Sequence, residues 1–231
     1  MRKAIAFSLF GDHAIYNIGL CENIKLANKL YGDYDIHIYY DDSIDCKLLS
    51  LAEDKILFHY INYPKVPGYF WRFFLVDDKT YDVILSRDLD SRLSLREKVA
   101  VEQWIESGDT LHIMRDHQGH DFPIMAGMWG IRPQRIAFNF TDSIKDFSAK
   151  FSDISNKESD QVYLKQIFSL FQNDALVHDD WLRCSNSVSF PTERIDEQFV
   201  GEIYDEFNNP KYRYTLDGRN LSLIEKFGIE K

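Results

Sequence analysis

Tyr81-Asp82-Val83-Ile84-Leu85-Ser86-Arg87-Asp88-Leu89-Asp90-Ser91 passes from an apolar run straight into two carboxylates one residue apart. A short apolar segment bounded by polar turn residues reads as a buried β-strand. Two carboxylates at its end repel each other, and a divalent cation would relieve that repulsion, since hard cations prefer carboxylate oxygen. A bare Asp-x-Asp also suits an exposed turn, so its surroundings must decide.

Upstream, strands and helices alternate. Lys3–Leu9 is a short apolar strand, and Ile15–Leu30 has helical spacing through Ile18, Cys21, Ile24, Ala27 and Leu30. Tyr34–Tyr40 and Ile56–Ile61 read as strands, with a short helix near Lys47–Ala52 between them and a helix over Gly68–Asp78 after them. Downstream, Ser94-Leu95-Arg96-Glu97 has capping-box spacing, opening a helix that Gly108 closes. Leu111–Met114 is the next strand, and Met125–Ile131 a glycine-punctuated one. Ile144–Phe151 and Gln161–Phe171 look helical, and the tail from Ser185 carries strand-like pieces and a short helix near Leu221–Phe227. Such alternation predicts an α/β fold, a three-layer α/β/α sandwich around a mostly parallel sheet. Ligands of these sheets sit at the carboxyl ends of the strands, where Asp41, Asp42, Asp88, Asp90 and Asp116 all fall.

With 231 residues, 45% of them hydrophobic, the chain is expected to form one globular domain. A net charge of −10 argues against a nucleic-acid partner but leaves a nucleotide open. Cys21, Cys46 and Cys184 are scattered without metal-knuckle spacing, which fits a reducing compartment. The apolar stretch at the N-terminus is too short for a signal peptide, and no run reaches the roughly 18 residues of a membrane span. The expectation is a cytoplasmic protein, with room for a peripheral place at a membrane through a partner.

If the cation held a diphosphate, several other residues would matter. Arg72, on the helix before the Asp-x-Asp strand, could reach a carboxylate and a phosphate or sugar hydroxyl; it could equally lie over its aromatic neighbours. His178 follows an apolar run and could complete a Mn²⁺ site with Asp88 and Asp90, or be a structural histidine. Asp160 and Gln161 open a helix, where Asp is commonly a cap but could also face a reacting sugar. Asp116, His117 and His120 could hold an acceptor or supply a general base. Gly127 and Gly130 allow close backbone approach or mark a bulge. Ser8, Leu9 and Tyr16 flank the end of the first strand, where a base would lie.

Taken in order, these pieces resemble a GT-A-fold glycosyltransferase of the glycogenin-like and bacterial galactosyltransferase pattern. Arg72 matches its arginine before the D-x-D strand, Asp88 and Asp90 the D-x-D, Asp160-Gln161 its Asp-Gln pair, and His178 its late metal-binding histidine. Ser86–Leu93, His112–His117 and Phe199–Glu202 are also similar to stretches in small glycosyltransferase-like proteins of bacteria and large viruses. The resemblance implies a GT-A-like sandwich around a mixed, mostly parallel sheet, with nucleotide bound by about residues 1–116 and acceptor by the part from 117 onward. It further implies a Mn²⁺ or Mg²⁺ ion, a nucleotide-sugar donor, most often a UDP-sugar, and a saccharide or lipid-linked glycan acceptor. Ser8, Leu9, Tyr16, Arg72, Asp88 and Gly127 would then border the donor, Asp88, Asp90 and His178 the metal, and Asp160, Gln161, Asp116 and His117 the chemistry. Met125-Ala126-Gly127 departs from the group's Asn-Ala-Gly, and no lysine follows His178 at the usual place, which leaves donor sugar and stereochemistry open. Two other readings use the same letters. One is a haloacid-dehalogenase-like phosphatase with Asp179-Asp180 as its later acid pair, and the other a non-catalytic nucleotide- or glycan-binding module.

Overall fold

A computed structural model describes residues 1–150 and 159–211. The expected helix near Leu221–Phe227 and the end of the helix at Phe151 lie outside them. Seven strands form one sheet: β1 Lys3–Leu9, β2 Tyr34–Tyr40, β3 Ile56–Tyr60, β4 Val83–Arg87, β5 Leu111–Arg115, β6 Met128–Ile131 and β7 Ala175–Asp179. Their spatial order is β3-β2-β1-β4-β6-β5-β7. The β1–β2, β2–β3, β1–β4 and β5–β7 pairs are parallel, while β6 runs antiparallel between β4 and β5. The order reverses between β1 and β4, because β2 and β3 extend one way and β4 the other. That reversal opens a crevice at the strands' carboxyl ends, where Asp88 and Asp90 stand.

Strand alternation divides the core into two layers. Ile5, Phe7 and Leu9 of β1, with Val83 and Leu85 of β4, pack under helices α1 (Ala14–Leu30) and α2 (Leu95–Ser107). Ala4, Ala6 and Ile84 face the other way, against Phe70, Trp71 and Phe73 and against α3 (Phe140–Lys150) and α4 (Ser159–Phe171). Small alanines on β1 leave room for this aromatic layer to sit close to the sheet.

Some elements differ from the sequence reading. The expected helix at Gly68–Asp78 is present as a 3-10 helix over Gly68–Asp77, and eight of its residues are buried. Buried on nearly every side, it offers no amphipathic period from which its pitch could be read. Ser94 caps α2 by accepting from the Glu97 backbone N–H, and Gly108 ends it at φ +80°. The Glu97 carboxylate does not close the capping box; it accepts from Arg87 Nε at 2.6 Å and the Tyr31 hydroxyl at 3.1 Å. In the tail up to Lys211, pairing is limited to isolated bridges, among them Ser91–Ile203 and His178–Val188. No described helix is long and apolar enough to cross a membrane.

Candidate active site

Arg72 organises the crevice. Its backbone N–H donates to Ser8 Oγ at 2.9 Å and its Nε to Ser86 Oγ at 3.1 Å, tying it to β1 and β4. One terminal nitrogen meets Asp88 Oδ1 at 2.8 Å, and the other meets Asp160 Oδ2 at 3.2 Å. Arg72 as a whole is 4% exposed. A planar fork held at three points can bridge two carboxylates from different elements, which a lysine cannot do in the same geometry. Ser86 Oγ in turn donates to Ala126 O at 2.9 Å, fixing the turn ahead of β6. At Gly127 a Cβ would collide with the Asp88 carboxylate, so glycine is what lets that side chain lie there.

The acids around Arg72 are poised by burial. Asp90 is pushed up to about 6 chiefly by desolvation, with Asp88 adding to the shift and Arg72 opposing it. Asp160 is pushed up to about 7, again chiefly by burial and against the pull of Arg72. Its Oδ1 accepts from the Gln161 N–H at 2.8 Å. The Tyr16 hydroxyl is raised by burial and by its approach to Asp90 and Asp88. All of these face one cavity of about 950 Å³.

Ser8, Tyr16, Arg72, Asp88, Asp90, Gly127, Asp160, Gln161 and His117 from the sequence reading all line that cavity. Three others do not. Leu9 points into the α1/α2 layer, since alternation along β1 turns its side chain away from Ser8's. Asp116 is fully buried; it accepts two bonds from Arg96 at 2.8 and 2.9 Å, one from the Val200 N–H at 3.0 Å, and others from Arg194. Such a carboxylate is an anchor for the tail, not a base. His178 lies on β7, with β6 and β5 between it and β4. It is fully buried, one ring nitrogen 2.9 Å from His112 Nε2 and the other 2.9 Å from Gln103 Oε1. Both nitrogens are engaged away from the carboxylate pair, so His178 is a core histidine and not their third ligand.

Among the described residues no cluster of three or more His, Cys, Asp and Glu side chains forms a metal cage. The carboxylates that could hold an ion at the crevice are those of the Asp88–Asp90 pair. Two carboxylates suit Mg²⁺ or Mn²⁺, which keep several positions for water and substrate phosphate, and the raised Asp90 carboxyl marks a place where added positive charge would be favourable.

Sequence reasoning missed part of the lining. Phe10 and Tyr69 border the cavity beside Tyr16, and Phe10 stacks on Tyr16 with ring centroids 6.4 Å apart. Trp181, Phe199 and Ile203 line its far side. The tail reaches the Asp-x-Asp directly, through Tyr204 N–H donating to Asp90 O at 2.8 Å. Gly201 carries φ +80° there, with the Met128 sulfur packed against it. The Phe199–Glu202 stretch stood out by resemblance, but nothing in its spacing assigned it a place.

The reversal of strand order and the antiparallel β6 within a mostly parallel sheet describe the architecture. The chain has a GT-A-like glycosyltransferase fold. Solved structures share it. S. aureus TarS, residues 1–349, superimposes with a TM-score of 0.52 at 12% identity, covering 78% of this chain and 59% of that one. The apo-form glycosyltransferase GlyE of Streptococcus pneumoniae TIGR4 gives 0.50 at 18% identity, covering 78% and 46%. A glycosyltransferase involved in the glycosylation of the major capsid of PBCV-1 gives 0.48 at 12% identity, covering 78% and 82%. The chain thus spans 59% of the TarS chain and 46% of the GlyE chain. No protein-family model and no curated protein sequence matches the chain. At these identities the likeness bears on the GT-A-like fold, and the chemistry must be argued from the site itself.

Proposed function

We propose that the chain transfers a sugar from a nucleoside diphosphate, a UDP-sugar in the first instance, to a saccharide or lipid-linked glycan, with Mn²⁺ or Mg²⁺ bound. The observation that supports this most is the Arg72 fork, which holds Asp88 and Asp160 beside Asp90 at the edge of one cavity. In such a transfer the C1–O bond to the diphosphate breaks with its electron pair leaving on phosphate, and a bond from an acceptor hydroxyl oxygen to C1 forms. A divalent ion held by Asp88 and Asp90 supplies Lewis-acid stabilisation of the departing diphosphate.

The chain's own residues do the rest. Arg72 fixes Asp88 in place and adds positive charge beside the phosphates. Tyr16, Phe10 and Ser8 border the nucleoside. Asp160, with a carboxyl near neutral in acidity, is suited to exchange a proton with the reacting hydroxyl at working pH. Gln161 is placed beside it to contact the sugar. His117 stays uncharged at neutral pH, pushed down to about 4 by burial and by Arg194.

The phosphatase reading loses its second acid pair. Asp179 is held by Arg115 at 2.9 Å and Asp180 by Arg96 at 2.6 Å, on the far strand of the sheet from β4. The decisive experiment combines binding with turnover. UDP with Mn²⁺ is expected to raise the melting temperature more than ADP or GDP does, through mass action on the native state. Asp90→Ala should lower nucleotide-sugar turnover by about a thousandfold, as expected when stabilisation of the leaving group is lost. Undiminished metal-dependent turnover in that variant would sink the proposal, and UDP binding without donor cleavage would leave a binding module instead.

A further inference from the structure

The rings lining the cavity fall into two halves along the chain: Phe10, Tyr16 and Tyr69 come before β4, and His117, His120, Trp181 and Phe199 after β5. In the second half the His117 and Phe199 rings stack, with centroids 4.1 Å apart and planes within 11°. His120 meets Phe199 at 62°, its ring fixed by accepting the Asp116 N–H at 2.9 Å. Trp181, which borders the cavity, is 46% exposed. Its backbone N–H donates to Asp179 Oδ1 at 3.0 Å, so the residue is anchored while its ring is open.

The charges here are one-sided. Among the described residues the lining carboxylates are Asp88, Asp90 and Asp160, and the lining cation is Arg72, already shared by two of them. The arginines behind the second half are committed too: Arg96 and Arg194 to Asp116, and Arg115 to Asp179. His117 and His120 add no positive charge at neutral pH, burial holding them down to about 4 and about 3. Among the described residues, an anionic group entering this half would meet aromatic faces and carboxylates, and Arg194, 6.0 Å over the Phe199 ring, is already paired with Asp116. A pyranose offers the complementary surface, an apolar C–H face for the rings and hydroxyls for the polar edges.

From these observations we infer that the acceptor is an uncharged saccharide, packed against the exposed Trp181 and the His117 ring, with Phe199 backing His117. The inference rests on the glycosyl-transfer reading of the cavity and narrows its acceptor class.

Of the chain's four tryptophans, Trp71, Trp104 and Trp129 are at most 5% exposed, so tryptophan emission changes on surface binding report on Trp181. With UDP and Mn²⁺ present, the probes are cellobiose, lactose, maltose and N,N′-diacetylchitobiose, set against glucuronate-terminated disaccharides and glucose 6-phosphate. At least one neutral disaccharide should give a saturable emission change, and the anionic sugars should bind at least about tenfold more weakly, a difference of about 1.4 kcal/mol. Trp181→Ala, followed by saturation-transfer NMR because it removes the fluorophore, should weaken the neutral sugar by a similar factor. Its melting temperature should stay unchanged, and Trp181→Phe should restore part of the binding. Equal binding of an anionic sugar, unaltered binding to Trp181→Ala, or no saccharide binding while UDP binds would each overturn the inference and leave the transferase reading standing. Failure of UDP itself to bind with Mn²⁺ would remove both.

Discussion

Two arginine–carboxylate clusters stand at the carboxyl edge of the same sheet. Around Arg72, the partners Asp88 and Asp160 border a large cavity, and the Asp88 side chain is 40% exposed. Around Arg96, Asp116 is fully enclosed, its oxygens taken by Arg96, Arg194 and the Val200 N–H. The chemistry of the pairs is nearly identical; what differs is whether carboxylate oxygen remains available to something that arrives later. The first cluster faces open space, and the second is closed by the protein's own tail. Burial of charge is thus not evidence of function by itself, since buried ion pairs also serve to fix one conformation.

The sharpest way to break this contrast is Asp116→Ala. It leaves Arg96 buried without its bidentate partner and frees the tail at Val200, costing about 3–5 kcal/mol. For a chain of this size that lowers the melting temperature by about 10 °C, whereas Asp88→Ala should move it little. Equal melting temperatures for the two variants would erase the distinction. The histidine behind the sealed cluster gives the next effect. His178 is pushed down to about 4 by burial, from an ordinary 6.5. The unfolded chain therefore takes up a proton below 6.5 that the native ring refuses, so the stability it contributes is whole above that pH. It is lost as pH falls toward 4. That loss is on the order of 3 kcal/mol. Urea titrations from pH 7 to 4.5 should show it, and His178→Gln should flatten the acid limb; an unchanged limb would contradict the assignment of His178 to the core.

At the open cluster, Arg72→Lys keeps the charge but loses the fork, and should cut turnover about a hundredfold, or about 2.7 kcal/mol, with only a modest stability change. A turnover loss matched by an equal loss of stability would make Arg72 structural like Arg96. Smallest is Gly127→Ala, whose methyl must displace the Asp88 carboxylate. Calorimetric Mn²⁺ titration in the presence of UDP should show about tenfold weaker binding, close to 1.4 kcal/mol.

Much of the architecture was readable before any coordinates. The apolar strands β1 and β4, the helical spacing of α1 and the Ser94 cap are local patterns, and local patterns survive folding. Asp88, Asp90, Arg72 and Asp160, which share one cavity, stood out because they match, in order along the chain, the pattern that the resemblance supplies. The errors have a common physical source. Asp179 and Asp180 made the neighbourhood of His178 look polar, yet Arg115 and Arg96, distant in sequence, take up both carboxylates. Asp116 likewise looked available until Arg96 and Val200 were seen around it. Which partner saturates a charged group is a question of tertiary pairing, and neither spacing nor composition encodes it. Phe199 stood out only by resemblance and Ile203 not at all, because the tail has no period, only the isolated bridges that lay it across the crevice.

One of those bridges has a consequence for synthesis. Tyr204 closes onto Asp90 and Ile203 onto Ser91, so the loop bearing the acid pair is completed by residues made more than a hundred positions later. A nascent chain can assemble β1 to β4 early, but at the usual pace of about 5–20 residues per second it must wait several seconds for the segment that finishes the crevice. Through the first part of that wait the aromatic layer of Phe70, Trp71 and Phe73 would lie on the half-built sheet without the helices α3 and α4 that cover it.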